Sequence, residues 1–103
     1  MKVAIIQHEI RENNIEWNFQ QLSSLIDKQP GADLYVLAET FATGFLAEGS
    51  TQNAAVEGRQ IFDWMQQQAS RINAAIAGSV ATVDEEGKLR NRLYFVRPDG
   101  TFD

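Results

Sequence analysis

The sequence has 103 residues, 44% of them hydrophobic and 22% charged, a composition that suits one small globular domain with a limited core. A formal net charge of −5, with no basic cluster to offset it, argues against a nucleic-acid partner, and the absence of cysteine excludes disulfides, thiolate metal sites and any thiol nucleophile within these residues. No apolar run approaches the roughly 20 residues of a bilayer span, and the first apolar run is too brief for a signal peptide; no membrane partner and a cytoplasmic location are expected.

In chain order, the run Val3-Ala4-Ile5-Ile6 predicts a buried first strand, followed by a polar loop over Glu9 to Asn14. Asn13 with Glu16 three residues on resembles a capping box, and Ile15, Phe19, Leu22 and Ile26 recur at helical spacing until Pro30-Gly31 ends the helix. Leu34 to Ala38 predicts a second strand, apolar on both faces as for a central strand covered on both sides, with Glu39 directly after it. Thr40 to about Glu57 shows no period and reads as a long irregular loop, a kind of segment that is often functional. A second helix is expected from Gly58 to Asn73, its stripe made by Ile61, Met65, Ala69 and Ile72 with Trp64 beside it. A third strand over Ala75 to Val83, a charged hairpin turn over Asp84 to Lys88, a fourth strand over Leu89 to Arg97 and a turn at Pro98-Asp99-Gly100 complete the chain. The fold class is therefore α/β, with a right-handed crossover unit leading into an antiparallel hairpin and hence a mixed sheet.

Three segments resemble the nitrilase superfamily of carbon–nitrogen hydrolases, and its omega-amidase branch in particular. The first is Val3-Ala4-Ile5-Ile6-Gln7 with the polar loop and the helix containing Asn18. The second runs from Ala32 to Phe45, where Ala38-Glu39 stands for the family's Pro-Glu and Thr43-Gly44-Phe45 for the omega-amidase Thr-Gly-Phe loop. The third runs from Trp64 to Gly100 and includes Ala77-Gly78-Ser79-Val80 and Asn91-Arg92-Leu93-Tyr94-Phe95-Val96. Two departures stand out: Ala38 replaces the usual proline, and Leu46-Ala47-Glu48 follows where omega-amidases tend to have Ser-Met. The resemblance implies that residues 1–103 are the amino-terminal part of a single hydrolase domain, a mixed sheet with helices on one face forming the first part of a four-layer α-β-β-α sandwich.

The family hydrolyses amides with a Glu, Lys and Cys acting together. By resemblance Glu39 is the general base, while the lysine and cysteine have no counterpart in these residues, so the chain alone is expected to be inactive. The residues agree: Glu39 follows the carboxyl end of an apolar strand, where open α/β sheets place ligand crevices, and is expected to be partly desolvated there. The competing reading makes it a solvated loop acid. Phe41 and Phe45 either line the acyl pocket or pack the loop onto the sheet. Strand alternation puts Asn91 and Arg92 on opposite faces, Asn91 to brace the loop near Glu39 and Arg92 as a surface charge. His8, the sole histidine, reads as structural, and the acids of Asp84 to Glu86 as a solvated turn. No cofactor and no metal are expected. The resemblance further implies a small-molecule amide substrate and a homo-oligomer; the alternative is a non-catalytic module that acts by self-association or partner binding.

Overall fold

Four strands form one mixed sheet in the order of the chain, in a computed structural model that describes residues 1–11, 14–43 and 51–103, with the backbone alone over 51–56. The elements are β1 (Val3–Ile6), α1 (Ile15–Asp27), β2 (Leu34–Leu37), α2 (Thr51–Ile72), β3 (Ala75–Val83) and β4 (Leu89–Val96). β1, β2 and β3 pair in parallel, as helical crossovers require, and β3 and β4 form an antiparallel hairpin. Asp84 shapes the hairpin turn by accepting from the Glu86 and Lys88 N–H groups, and Gly87 takes φ of +78°. Beyond the Pro98–Gly100 turn, Phe102 bridges back to Val96.

Both helices join one core with the sheet. Leu22 and Ile26 of α1 and Ile61, Met65 and Ala69 of α2 pack with Ala4, Ile6, Tyr35, Leu37, Ile76 and Val80 of the strands. The helices also touch each other, for Phe19 and Trp64 stack at 4.7 Å with an interplanar angle of 4°. Each large apolar side chain so buried contributes about 1.5–3 kcal/mol. Helices on one face of a mixed sheet are therefore what the structure contains.

Several details depart from expectation. β1 alternates instead of being buried throughout: Ala4 and Ile6 face the core, while Val3 is 49% and Ile5 68% exposed. In β2 likewise, Tyr35 and Leu37 are buried and Leu34 and Val36 only half-buried. Continuous apolar runs suit a sheet covered on both sides, and here one side is open. The cap of α1 is Asn14, whose side chain accepts from the Trp17 N–H at 3.1 Å; Asn13 lies outside the described residues. α2 begins at Thr51 rather than Gly58. No apolar stripe announces that first part, although Ala54 and Ala55 favour a helix.

Candidate functional site

The parallel strands β1 and β2 end side by side, with Ile6 paired to Leu37, so the loops that leave them meet at one edge of the molecule. Glu39 follows the end of β2 there. Its side chain is exposed and lines an open cavity of about 320 Å³ with Leu37, Ser79, Asn91 and Leu93. The expected partial desolvation is not observed, because this cavity opens on the uncovered side of the sheet. A larger hollow of about 520 Å³ lies between α2 and the β3–β4 hairpin and does not include Glu39.

Asn91 of β4 donates from Nδ2 to Glu39 Oε1 at 2.8 Å, across 52 positions of sequence. A neutral carboxamide thus holds one carboxylate oxygen, and the other has no bond among the described residues. Arg92, the next residue, points away and is exposed, as strand alternation requires.

The backbone after Glu39 is held as firmly as its side chain. The Thr40 N–H donates to Ser79 Oγ at 2.8 Å. The Phe41 carbonyl accepts from His8 Nε2 at 3.0 Å, and the Ala42 carbonyl from Asn18 Nδ2 at 2.6 Å. Four consecutive residues are therefore tied by four side chains from four different parts of the chain. Thr40 has φ of +46°, a left-handed conformation that its branched side chain strongly disfavours.

Phe41 is fully buried, its ring 5.8 Å from that of Trp64. Gly78 makes room for it, since a Cβ there would lie 2.8 Å from Phe41 Cε1. Of the two roles open to Phe41, packing the turn onto the sheet is the one visible here. Phe45 lies outside the described residues.

Asn18 is fully buried on α1 and makes three bonds. It accepts from the Arg11 N–H at 2.9 Å and donates to the carbonyls of Arg11 at 2.8 Å and Ala42 at 2.6 Å. One N–H and two carbonyls as neighbours fix which way the amide points. Asn18 had a signal in the sequence: it lies three residues after Ile15 and four before Leu22, on the apolar stripe, and a polar residue there needs buried partners. Ser79 had none. His8 joins the loop after β1 to the turn after β2, and its buried Nδ1 has no partner among the described residues. Nε2 carries a proton, since it donates to a carbonyl, and burial of the ring favours the neutral form. Burial holds its pKa below the ordinary 6.5, against a smaller upward pull from the Phe41 carbonyl.

Among the described residues no group of three or more His, Asp or Glu side chains could hold a metal, and no helix is long and apolar enough to cross a membrane.

The model of the carbon–nitrogen hydrolase family matches residues 2–103, and the chain belongs to that family. It is similar to the omega-amidase YafV of Yersinia enterocolitica, 33% identical over 98% of the chain and 38% of the relative. It is also similar to omega-amidase YafV of Escherichia coli, 32% identical over the same shares. Among solved structures, a CN-hydrolase superfamily protein of Xanthomonas campestris with an arsenic adduct in its active site superimposes with a TM-score of 0.85 at 30% identity, covering 100% of this chain and 38% of that one. An N-terminal amidase bound to a Gln-Val peptide shares the fold, with a TM-score of 0.86 at 19% identity over 100% of this chain and 26% of its own. The 103 residues thus span well under half the length of these proteins. The resemblance read from the sequence, to the superfamily and to its omega-amidase branch, agrees with these matches.

Proposed function

We propose that this chain contributes the general base, Glu39, to an omega-amidase-like hydrolase that converts a small monoamide to the acid and ammonia. One observation carries this reading: a carboxylate stands just past the carboxyl end of a parallel strand, in a cavity, with one oxygen held by Asn91 at 2.8 Å. Amide carbon is a poor electrophile and needs a strong nucleophile, which the family supplies as a cysteine thiol. The free oxygen of Glu39 takes the thiol proton as sulfur attacks the carbonyl carbon, and returns it to the departing nitrogen as ammonia leaves. A lysine ammonium stabilises the oxyanion, and water then hydrolyses the acyl-enzyme, with Glu39 taking its proton. The cysteine is absent from these residues, and Lys2, Lys28 and Lys88 do not occupy the family's lysine context. The 103 residues are one part of a single domain and are inactive alone. Phe41 acts from beneath by seating the turn.

The test is ammonia release from the monoamides of glutaric and succinic acid. The full-length protein should release ammonia and its Glu39→Gln variant should lose at least about 100-fold in kcat. Release by the isolated 103 residues well above a Glu39→Gln control would refute the division of labour.

A non-catalytic module is the second reading, and the exposed apolar side chains of Ile5 and Leu93, each 68% exposed, favour it. Full activity in a full-length Glu39→Gln variant would leave that reading in place of the first.

A further inference from the structure

The strained backbone beside Glu39 has a specific restraint. Thr40 holds φ of +46°, where a β-branched residue is a true outlier, and such conformations persist only where the surroundings over-determine them. Three anchors act on its far side: the buried Phe41 ring, His8 on the Phe41 carbonyl and Asn18 on the Ala42 carbonyl. These fix where the turn goes. None of them touches the peptide between Glu39 and Thr40, and that peptide decides where the Glu39 side chain leaves the backbone. Two bonds hold it: Thr40 Oγ1 donates to the Glu39 carbonyl at 2.8 Å within the turn itself, and the Thr40 N–H donates to Ser79 Oγ at 2.8 Å, the one tie among the described residues that joins this peptide to another strand. Ser79 lines the same cavity as Glu39, and Gly78 just before it is the residue whose missing Cβ admits Phe41.

We infer that Ser79 is a positioning residue for Glu39: its hydroxyl holds the Thr40 amide in the left-handed turn and thereby aims the carboxylate into the cavity, where Asn91 meets it. This rests on reading Glu39 as the proton shuttle. Without the hydroxyl, Thr40 relaxes toward negative φ, the peptide rotates, and the carboxylate withdraws from the reacting atoms. A displacement of about 1 Å is enough to cost on the order of 100-fold in rate. Asn, which occupies the left-handed region far more readily than Thr, offers a way to supply the same turn without the restraint.

The experiment uses the full-length protein and four variants: Ser79→Ala, Ser79→Thr, Thr40→Asn and the double Ser79→Ala/Thr40→Asn. Glu39→Gln serves as the control, and ammonia release from glutaric acid monoamide is the assay. Ser79→Ala is expected to lower kcat about 10- to 100-fold with KM changed less than about twofold. Ser79→Thr, which keeps the oxygen, should retain most of kcat, and the double variant should recover at least about a third of it. A kcat for Ser79→Ala within about twofold of wild type, beside an inactive Glu39→Gln, overturns the inference and leaves the proposed function standing. A loss that Thr40→Asn does not rescue also overturns it. An active Glu39→Gln removes the proposed function, and this inference with it. Should the wild-type protein leave this monoamide untouched, melting temperatures decide. A smaller drop from Ser79→Ala in the Thr40→Asn background than in wild type supports the restraint, and equal drops refute it.

Discussion

Asn18 carries more of the site's geometry than its distance from Glu39 suggests, because one buried amide joins the loop after β1 to the turn after β2. Replacing it with Asp keeps the size and the bond from the Arg11 N–H but sets a carboxylate oxygen against the carbonyls of Arg11 and Ala42. We expect Asn18→Asp to destabilise the protein by about 2–4 kcal/mol at pH 7 relative to wild type. The loss should shrink near pH 4.5, where the buried acid can protonate and donate again. Urea denaturation at the two pH values measures both, and an equal loss at both would show that the two donated bonds do not matter. His8 gives a second pH signature. Its folded pKa lies below the ordinary 6.5, so the unfolded chain takes up the proton first as pH falls. Its contribution is whole above 6.5 and is lost progressively as pH falls from there toward the folded pKa. Asp84 and Asp99 are also held low, by hydrogen bonds from Lys88 and Thr101, but their stability is lost only below the ordinary 3.8. Between pH 7.5 and 5.5 the denaturation midpoint should therefore fall, and His8→Gln, which can still donate to the Phe41 carbonyl, should flatten that fall. An unchanged slope would place the titration elsewhere. At this scale the sequence showed that Glu39 follows a strand end and which way Asn91 faces, because apolar runs mark strands and side chains alternate along them. It could not show that Ser79 meets Thr40, a contact across 39 positions that depends on the order of strands in the sheet.

Among the elements, α2 packs tightly on β3, and Gly58 sets their approach. A Cβ at that position would lie 2.9 Å from the Ala81 carbonyl oxygen, a backbone atom that cannot turn aside. Helix propensity alone favours alanine over glycine by about 1 kcal/mol. Forcing two packed elements apart costs about 1–3 kcal/mol, so the contact should win. Gly58→Ala is expected to lower the melting temperature by several degrees, while Gln60→Ala, at an exposed helix position, should leave it nearly unchanged. A rise for Gly58→Ala would mean that the helix shifts freely over the strand. The same pair of elements marks where periodicity was and was not informative. Ile61, Met65 and Ala69 announced the packed part of α2, because burial enforces a stripe. The part before Gly58 carries no stripe, and its helical backbone went unread. β1 and β2 misled in the opposite direction: uniformly apolar, they predicted cover on both faces, whereas the pairing of Ile5 with Val36 and of Val36 with Ala77 places three apolar residues in a row on a face that no helix covers.

At the scale of the whole molecule, that open face dominates. Both helices lie on one side of the sheet, and on the other Val3, Ile5 and Leu93 are each about half exposed or more. β1 is also an edge strand, with one row of backbone groups unpaired by the sheet. An apolar face beside an open edge is a surface on which copies associate, and a chain of 103 residues has little core stability to set against that tendency. The isolated chain should accordingly self-associate at tens of micromolar, with light scattering that rises with concentration. Ile5→Lys places a charge on the face beside its open edge without touching the core, since Ile5 points away from the helices. That variant should scatter as a smaller species while unfolding at nearly the same temperature, because an exposed side chain contributes little to the folded state. A wild-type chain that stays a monodisperse monomer, with a cooperative transition at high temperature, would show instead that the sheet tolerates water on this face and needs no cover.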